Sequence, residues 1–195
     1  MQFFILCSLL VFSQLIFSAE DDSPWYVEDQ IGFYQSRNSS VDSLFTNEVT
    51  IQYTNNSDNG VYFSSYYDKD FWNYLVGGTT ILNGFELGLG LGQSDYSDKR
   101  WLTINPWLYY EGEETTIDIY IEYIPEEHGG DKLFYRTSLN YRVSEVAYTG
   151  IYSERWIGTG PLFGFALSEH IEVETIIFAY DRGFSSLLFR MRAIY

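Results

Sequence analysis

Cationic side chains, cysteine, proline and histidine are all scarce in this chain. Eleven Lys and Arg stand against 27 Asp and Glu in 195 residues, a formal charge of −16. A protein that grips nucleic acid must neutralise phosphates with Lys and Arg, so a nucleic-acid partner is excluded. The one cysteine, Cys7, rules out an internal disulfide framework. With only two histidines, His128 and His170, there is little material for a nucleophile, a base and an orienting group within mutual reach. After Ala19 no stretch sustains a 3.6-residue apolar period, which excludes a helical bundle.

What the chain has in quantity is apolar and aromatic. It is 46% hydrophobic, with 18 Tyr, 15 Phe, 5 Trp and 16 Gly. That content excludes intrinsic disorder, and rings suit a half-buried pleated surface better than a helix, which glycine also weakens. The composition predicts an all-β protein.

Residues 1–19 (MQFFILCSLLVFSQLIFSA) carry no charged side chain and end in Phe17-Ser18-Ala19 before Glu20-Asp21-Asp22. This is the anatomy of a secretory signal peptide cleaved near Ala19, with an n-region that lacks Lys and Arg. Ser8, Ser13 and Gln14 interrupt the apolar run, which is short for a spanning helix. Cys7 falls inside it, so the exported chain is expected to be free of thiols. Residues 20–195 then form one domain that carries the whole negative charge.

In that domain apolar residues alternate with polar ones from end to end. At the C-terminus Leu187, Phe189, Met191, Ala193 and Tyr195 share one face, and Arg190 and Arg192 lie on the other. Upstream, Ile171, Val173, Thr175, Ile177 and Ala179 oppose Glu172, Glu174, Ile176 and Phe178. A turn centred on Arg182 would set Glu174 opposite Arg190 and Glu172 opposite Arg192, two charge pairs on one face. Likewise Ile117, Ile119, Ile121 and Tyr123 oppose Asp118, Tyr120 and Glu122, and the next strand places Arg136 near Asp118 and Glu122. Strands are expected at 26–36, 44–54, 60–67, 71–82, 84–93, 100–110, 115–124, 132–143, 146–153, 156–167, 171–180 and 185–195. Asn83-Gly84 is the strongest hairpin signal. Twelve strands allow closure of the last against the first, and ten remain if 60–82 pairs differently.

The final aromatic residue, with apolar residues at alternate positions before it, resembles the C-terminal assembly signal of Gram-negative outer-membrane β-barrels. That resemblance implies a closed antiparallel transmembrane barrel in the bacterial outer membrane. It also implies surrounding outer-membrane lipid and recognition of Tyr195 by the barrel assembly machinery. With Tyr195 on the periplasmic side, the longer connections 37–43, 68–70, 94–99, 125–131, 154–155 and 181–184 fall outside. Aromatic residues gather near both sets of strand ends, as two interfacial girdles would require. Trp25, Tyr53, Tyr109, Tyr110, Tyr141 and Tyr195 form one set, and Tyr34, Tyr66, Tyr67, Trp72, Trp101, Tyr123, Trp156 and Tyr180 the other. A water-soluble barrel or sandwich, with the apolar face turned inward, shares the same alternation.

On this register the lumen is lined by Glu86, Asp118, Glu122, Arg136, Arg142, Glu172, Glu174, Arg190 and Arg192, with Gly84, Gly88, Gly90 and Gly92 leaving room on one wall. Two functions follow. One is a narrow diffusion channel for small polar or charged solutes. The other is a non-conducting structural or partner-binding barrel whose acids and arginines pair and fill the interior. No enzyme motif is present, and Ser168 and His170 fall at a periplasmic turn. The loop Glu126, Glu127, His128 and Asp131 reads as a solvated acidic loop, as do Asp95, Asp98, Glu113 and Glu114. Neither a metal nor another cofactor is expected. In length, strand count and the turn Leu82-Asn83-Gly84-Phe85-Glu86, residues 44–195 are similar to small monomeric oligogalacturonate-type porins. The likeness implies fold and a diffusion role. In that family a basic lumen suits anionic oligosaccharides, whereas here acids largely match the arginines, so no solute is carried over.

Overall fold

The computed structural model describes residues 24–36, 44–67, 71–96, 99–125, 133–155, 157–179 and 185–195. The segment 1–19 with Cys7, the connections 37–43, 68–70 and 181–184, the acidic loop with His128, and Asp98, Trp156 and Tyr180 lie outside these residues. Twelve strands follow one another: β1 (Trp25–Ser36), β2 (Leu44–Thr54), β3 (Asn59–Tyr67), β4 (Phe71–Leu82), β5 (Phe85–Tyr96), β6 (Lys99–Glu111), β7 (Thr115–Tyr123), β8 (Leu133–Ser144), β9 (Ala147–Glu154), β10 (Gly158–Ser168), β11 (Ile171–Ala179) and β12 (Ser185–Ile194). Each pairs antiparallel with the next, and β1 pairs with β12 to close the barrel. The closing seam includes Tyr195 itself, whose amide donates to Val27 O at 2.8 Å while Val27 N donates to Tyr195 O at 2.9 Å. Closure leaves no unpaired edge.

Local chemistry sets the elements. Asn83 (φ 53°) and Gly84 (φ 81°) are both left-handed and join β4 to β5 through the pair Leu82 and Phe85, as a two-residue primed turn demands. β5 therefore starts at Phe85 rather than Gly84. It also runs three residues beyond its expected end, because pairing with β6 continues through Asp95 and Arg100 to Tyr96 and Lys99. In β6, Pro106 has no N–H to give its neighbour β7, and the ladder between them is interrupted between Ile104 and Trp107. Asn105 repairs the gap, its side-chain amide donating to Ile121 O at 2.6 Å, so the proline is tolerated in an interior strand.

The orientation of the alternation separates the two kinds of barrel. Val61, Val76, Leu89, Leu91, Leu139 and Ile151, from five different strands, point outward and are each more than half exposed. Apolar surface this extensive is unfavourable against water and favourable against hydrocarbon. Inward positions alternate with them. Trp25 and Tyr53 meet on the outer face at one end, ring centroids 5.0 Å apart, and Trp72 stacks on Tyr74 toward the other. Four expected girdle residues face inward instead. Tyr34 packs on the buried cluster around Phe178, Tyr66 and Trp101 stand opposite the inward Glu48 and Ser94, and Tyr109 lines the cavity described below. With a period of two, a shift of one residue decides the side.

The interior has two unlike ends. At the end where β1 finishes and β12 begins, Tyr152, Leu162, Ile176, Phe178 and Leu188 form a buried apolar cluster on one wall. On the facing wall Glu122 accepts from Asn73 Nδ2 at 2.9 Å and Ser94 Oγ at 2.6 Å, and Ser94 shares a 2.6 Å hydrogen bond with Thr103. Leu162, Ile176, Phe178, Ser94 and Thr103 have no solvent-accessible surface. The other end is open.

A polar cavity as the candidate functional site

A cavity of about 550 Å³ occupies the end of the barrel that carries Tyr26, Glu111 and Ile194. The structure places Glu86, Asp118, Arg136, Arg142, Glu172, Glu174, Arg190 and Arg192 on its wall. Glu122 also faces inward but does not reach it. Donors from β4 and β5 hold that carboxylate in the packed end, where no guanidinium of the described residues lies within 4 Å.

The hairpin of β11 and β12 has the register expected of it, with Glu174 paired to Arg190 and Glu172 to Arg192. The side chains complete the pairs. Arg190 Nε donates to Glu174 Oε2 at 2.7 Å, and Arg192 Nη2 to Glu172 Oε2 at 2.6 Å. Tyr148 ties both acids together, its hydroxyl lying 2.8 Å from Glu174 Oε1 and 3.2 Å from Glu172 Oε2. Arg190 also lies over the Tyr152 ring, 4.7 Å from its centroid. Charges this deep persist only when paired and hydrogen-bonded. Arg142 sits at the rim, about half exposed, 3.7 Å from Glu111.

Arg136 falls near Asp118 and Glu122, as expected. It stands opposite Tyr120 in the ladder, between the Asp118 and Glu122 positions, and its guanidinium lies 5.0 Å from the centre of the Tyr120 ring. Its ion pair is with Glu48 instead: Nη1 to Oε2 is 2.6 Å and Nη2 to Oε1 is 3.2 Å. Glu48 is on β2 and Arg136 on β8, six strands away in a ring of twelve and so diametrically opposed. The two side chains meet end to end in a two-pronged contact across the bore. Both are largely shielded from water.

The glycine-rich run of β4 and β5 also differs from expectation. A Cβ at Gly88 would lie 2.0 Å from Trp107 Nε1, and one at Gly90 would lie 2.2 Å from Tyr62 Oη. The absent side chains therefore make room for the Trp107 and Tyr62 rings, which meet edge-on at 5.8 Å, rather than for solute. Tyr62 then reaches Asn105 Oδ1 at 2.9 Å. Glu48, Glu28, Gln52, Glu111 and Glu114 complete the polar wall; Gln52 donates to Glu86. Their even or odd position on each strand was a usable signal for facing inward. Contact across the bore left none, because the partners are far apart in sequence and not adjacent in the sheet.

Catalytic geometry is not assembled at the described histidine. His170 stacks on Tyr195 with centroids 6.2 Å apart, and only its backbone amide meets Ser168 Oγ, at 3.3 Å. Among the described residues no group of three His, Cys, Asp or Glu is placed to hold a metal ion.

No family model matches the sequence, and no curated protein does. Solved structures match by shape. The KdgM porin in complex with disordered oligogalacturonate aligns over 85% of this chain and 98% of its own, with a TM-score of 0.56 at 6% identity. Outer membrane phospholipase A from Escherichia coli aligns over 86% and 89%, with a TM-score of 0.54 at 9% identity. The Acinetobacter baumannii outer membrane protein Omp33 aligns over 89% and 98%, with a TM-score of 0.51 at 9% identity. Identities this low show fold alone. The chain has the closed antiparallel barrel fold found in outer-membrane proteins that include a porin.

Proposed function

We propose that the protein resides in a bacterial outer membrane and provides a narrow route for small polar or charged solutes, non-catalytic and held shut in this conformation by the Glu48–Arg136 pair. The observation that carries the reading is the 550 Å³ cavity inside the barrel wall, lined by carboxylates, guanidiniums and phenols. A barrel built only as a membrane plug has no need to keep such a space. The outward apolar belt supports the membrane location, and the shape likeness to a porin supports transport. Tyr195, bonded into the closing seam, is the residue proposed to be read by the assembly machinery, and outer-membrane lipid is the proposed partner of the belt.

Passage requires the Glu48–Arg136 pair to part and the packed end to yield. Recordings from refolded protein in planar bilayers test this. The wild type is expected to give small or infrequent conductance steps, and the Glu48→Ser/Arg136→Ser double variant larger or more frequent ones. Stable insertion of both proteins without steps would favour a second reading, a non-conducting barrel with a dead-end cavity. The absence of accessible surface at Leu162, Ile176, Phe178, Ser94 and Thr103 is the observation on its side.

A further inference from the structure

We propose that the cavity selects cations over anions, and that Glu86 and Asp118 set the preference. This names the solute class for the route proposed above, and only its conductance test depends on that reading.

The charge on the cavity wall is segregated by strand. All four of its guanidiniums come from β8 (Arg136, Arg142) and β12 (Arg190, Arg192). β1 to β7 contribute neither Lys nor Arg to the cavity wall. Each guanidinium is also engaged: Arg136 by Glu48, Arg190 by Glu174, Arg192 by Glu172 with Glu28 at 3.9 Å, and Arg142 by Glu111. Three wall carboxylates meet no guanidinium of the described residues within 4 Å. Glu114 accepts from the Tyr141 hydroxyl at the rim, and Glu86 accepts from Gln52. The Asp118 carboxylate makes no hydrogen bond or ion pair with the described residues, although it faces the cavity.

An anion at Arg136 or Arg190 would have to compete with the carboxylate already paired to that buried guanidinium, which would be costly to leave unpaired. A cation would meet acids that are not in contact with any guanidinium of the described residues. The rings of Tyr26, Tyr62, Trp107 and Tyr109 add to the same preference, because aromatic faces attract ammonium groups and repel anions. Low-dielectric walls concentrate the resulting field. The chemical class is a small ammonium or polyamine cation.

Calorimetric titration of the detergent-solubilised full chain at low ionic strength, with spermidine as the probe and citrate as the control, reads this without requiring conductance. Spermidine is expected to bind and citrate not to. Glu86→Gln/Asp118→Asn is expected to weaken spermidine roughly tenfold while the barrel keeps its gel shift on boiling. Tighter citrate binding, no spermidine binding by the wild type, or unchanged affinity in the double variant would overturn the proposal. In bilayers under a KCl gradient, a reversal potential of cationic sign that falls in the double variant supports it, and one of anionic sign overturns it. Absence of conductance counts against the route alone, and the titration then decides the cation preference.

Discussion

One ring of strands encloses a packed end and a cavity end, and the two differ in what their inward positions carry. Toward the β1 terminus and the β12 start those positions hold Tyr34, Tyr152, Leu162, Ile176, Phe178 and Leu188, large enough to interlock and exclude water. Toward the opposite rim they hold Glu28, Gln52, Glu86, Asp118, Glu172 and Arg192, whose heads must stay solvated or paired. Both ends rest on the same antiparallel ladders, with bulges at Ala166/Ser168 and Arg142/Ser144 on the cavity side, and what separates them is side-chain solvation. Between them lie Glu48–Arg136 and Glu174–Arg190, ion pairs that satisfy one another while little water reaches them. A barrel of twelve strands is wider than one whose interior just fills. Here rings and guanidiniums close part of that width, and a cavity of about 550 Å³ remains.

Substitutions on each side of that boundary should sharpen or break the contrast. Arg190→Ser strands the buried Glu174 and removes the stack on Tyr152, and a loss of about 3–5 kcal/mol is expected in urea unfolding from lipid. A loss below about 1 kcal/mol would mean that water reaches the boundary. Phe178→Ala empties space in the packed end and should cost a comparable amount, about 3–5 kcal/mol by the same measurement. It should also raise conductance if the plug is what stops ions. Gly88→Ala pushes a methyl into the Trp107 ring and is expected to cost about 1–3 kcal/mol, visible as a change in tryptophan fluorescence. Tyr62→Phe removes the hydroxyl that reaches Asn105 and is expected to cost about 1 kcal/mol. Arg142→Ser, at the wet rim, should change stability by no more than about 1 kcal/mol, so a large effect there would place it in the packed network.

The β-barrel could be read from the chain because a period of two writes itself directly on the sequence. Strand limits came within three residues throughout, and the pairs Glu174–Arg190 and Glu172–Arg192 followed from the turn between adjacent strands. Inward orientation of Asp118, Arg136 and Arg142 followed from the same parity. What parity cannot encode is contact across the bore. Arg136 lies near Asp118 and Glu122 as parity requires, but its ion pair is with Glu48, which arrives from the opposite wall. Glycine was misread for a related reason: a missing side chain signals space, and only the three-dimensional arrangement shows that Tyr62 and Trp107 occupy it. Asn105 could have been found beforehand, since a proline at 106 in an interior strand requires some substitute donor nearby.

Thiol labelling tests the division of the interior most directly, because Cys7 is the one natural cysteine of the chain. With Cys7 replaced by Ser, single cysteines at Thr50, on the cavity wall, and at Thr103, in the packed end with no accessible surface, would be exposed to a small cationic methanethiosulfonate reagent in folded, lipid-embedded protein. Rapid modification at position 50 and protection at position 103 until the barrel is denatured is the predicted result. Equal labelling rates at the two positions would contradict it and show a bore open from end to end.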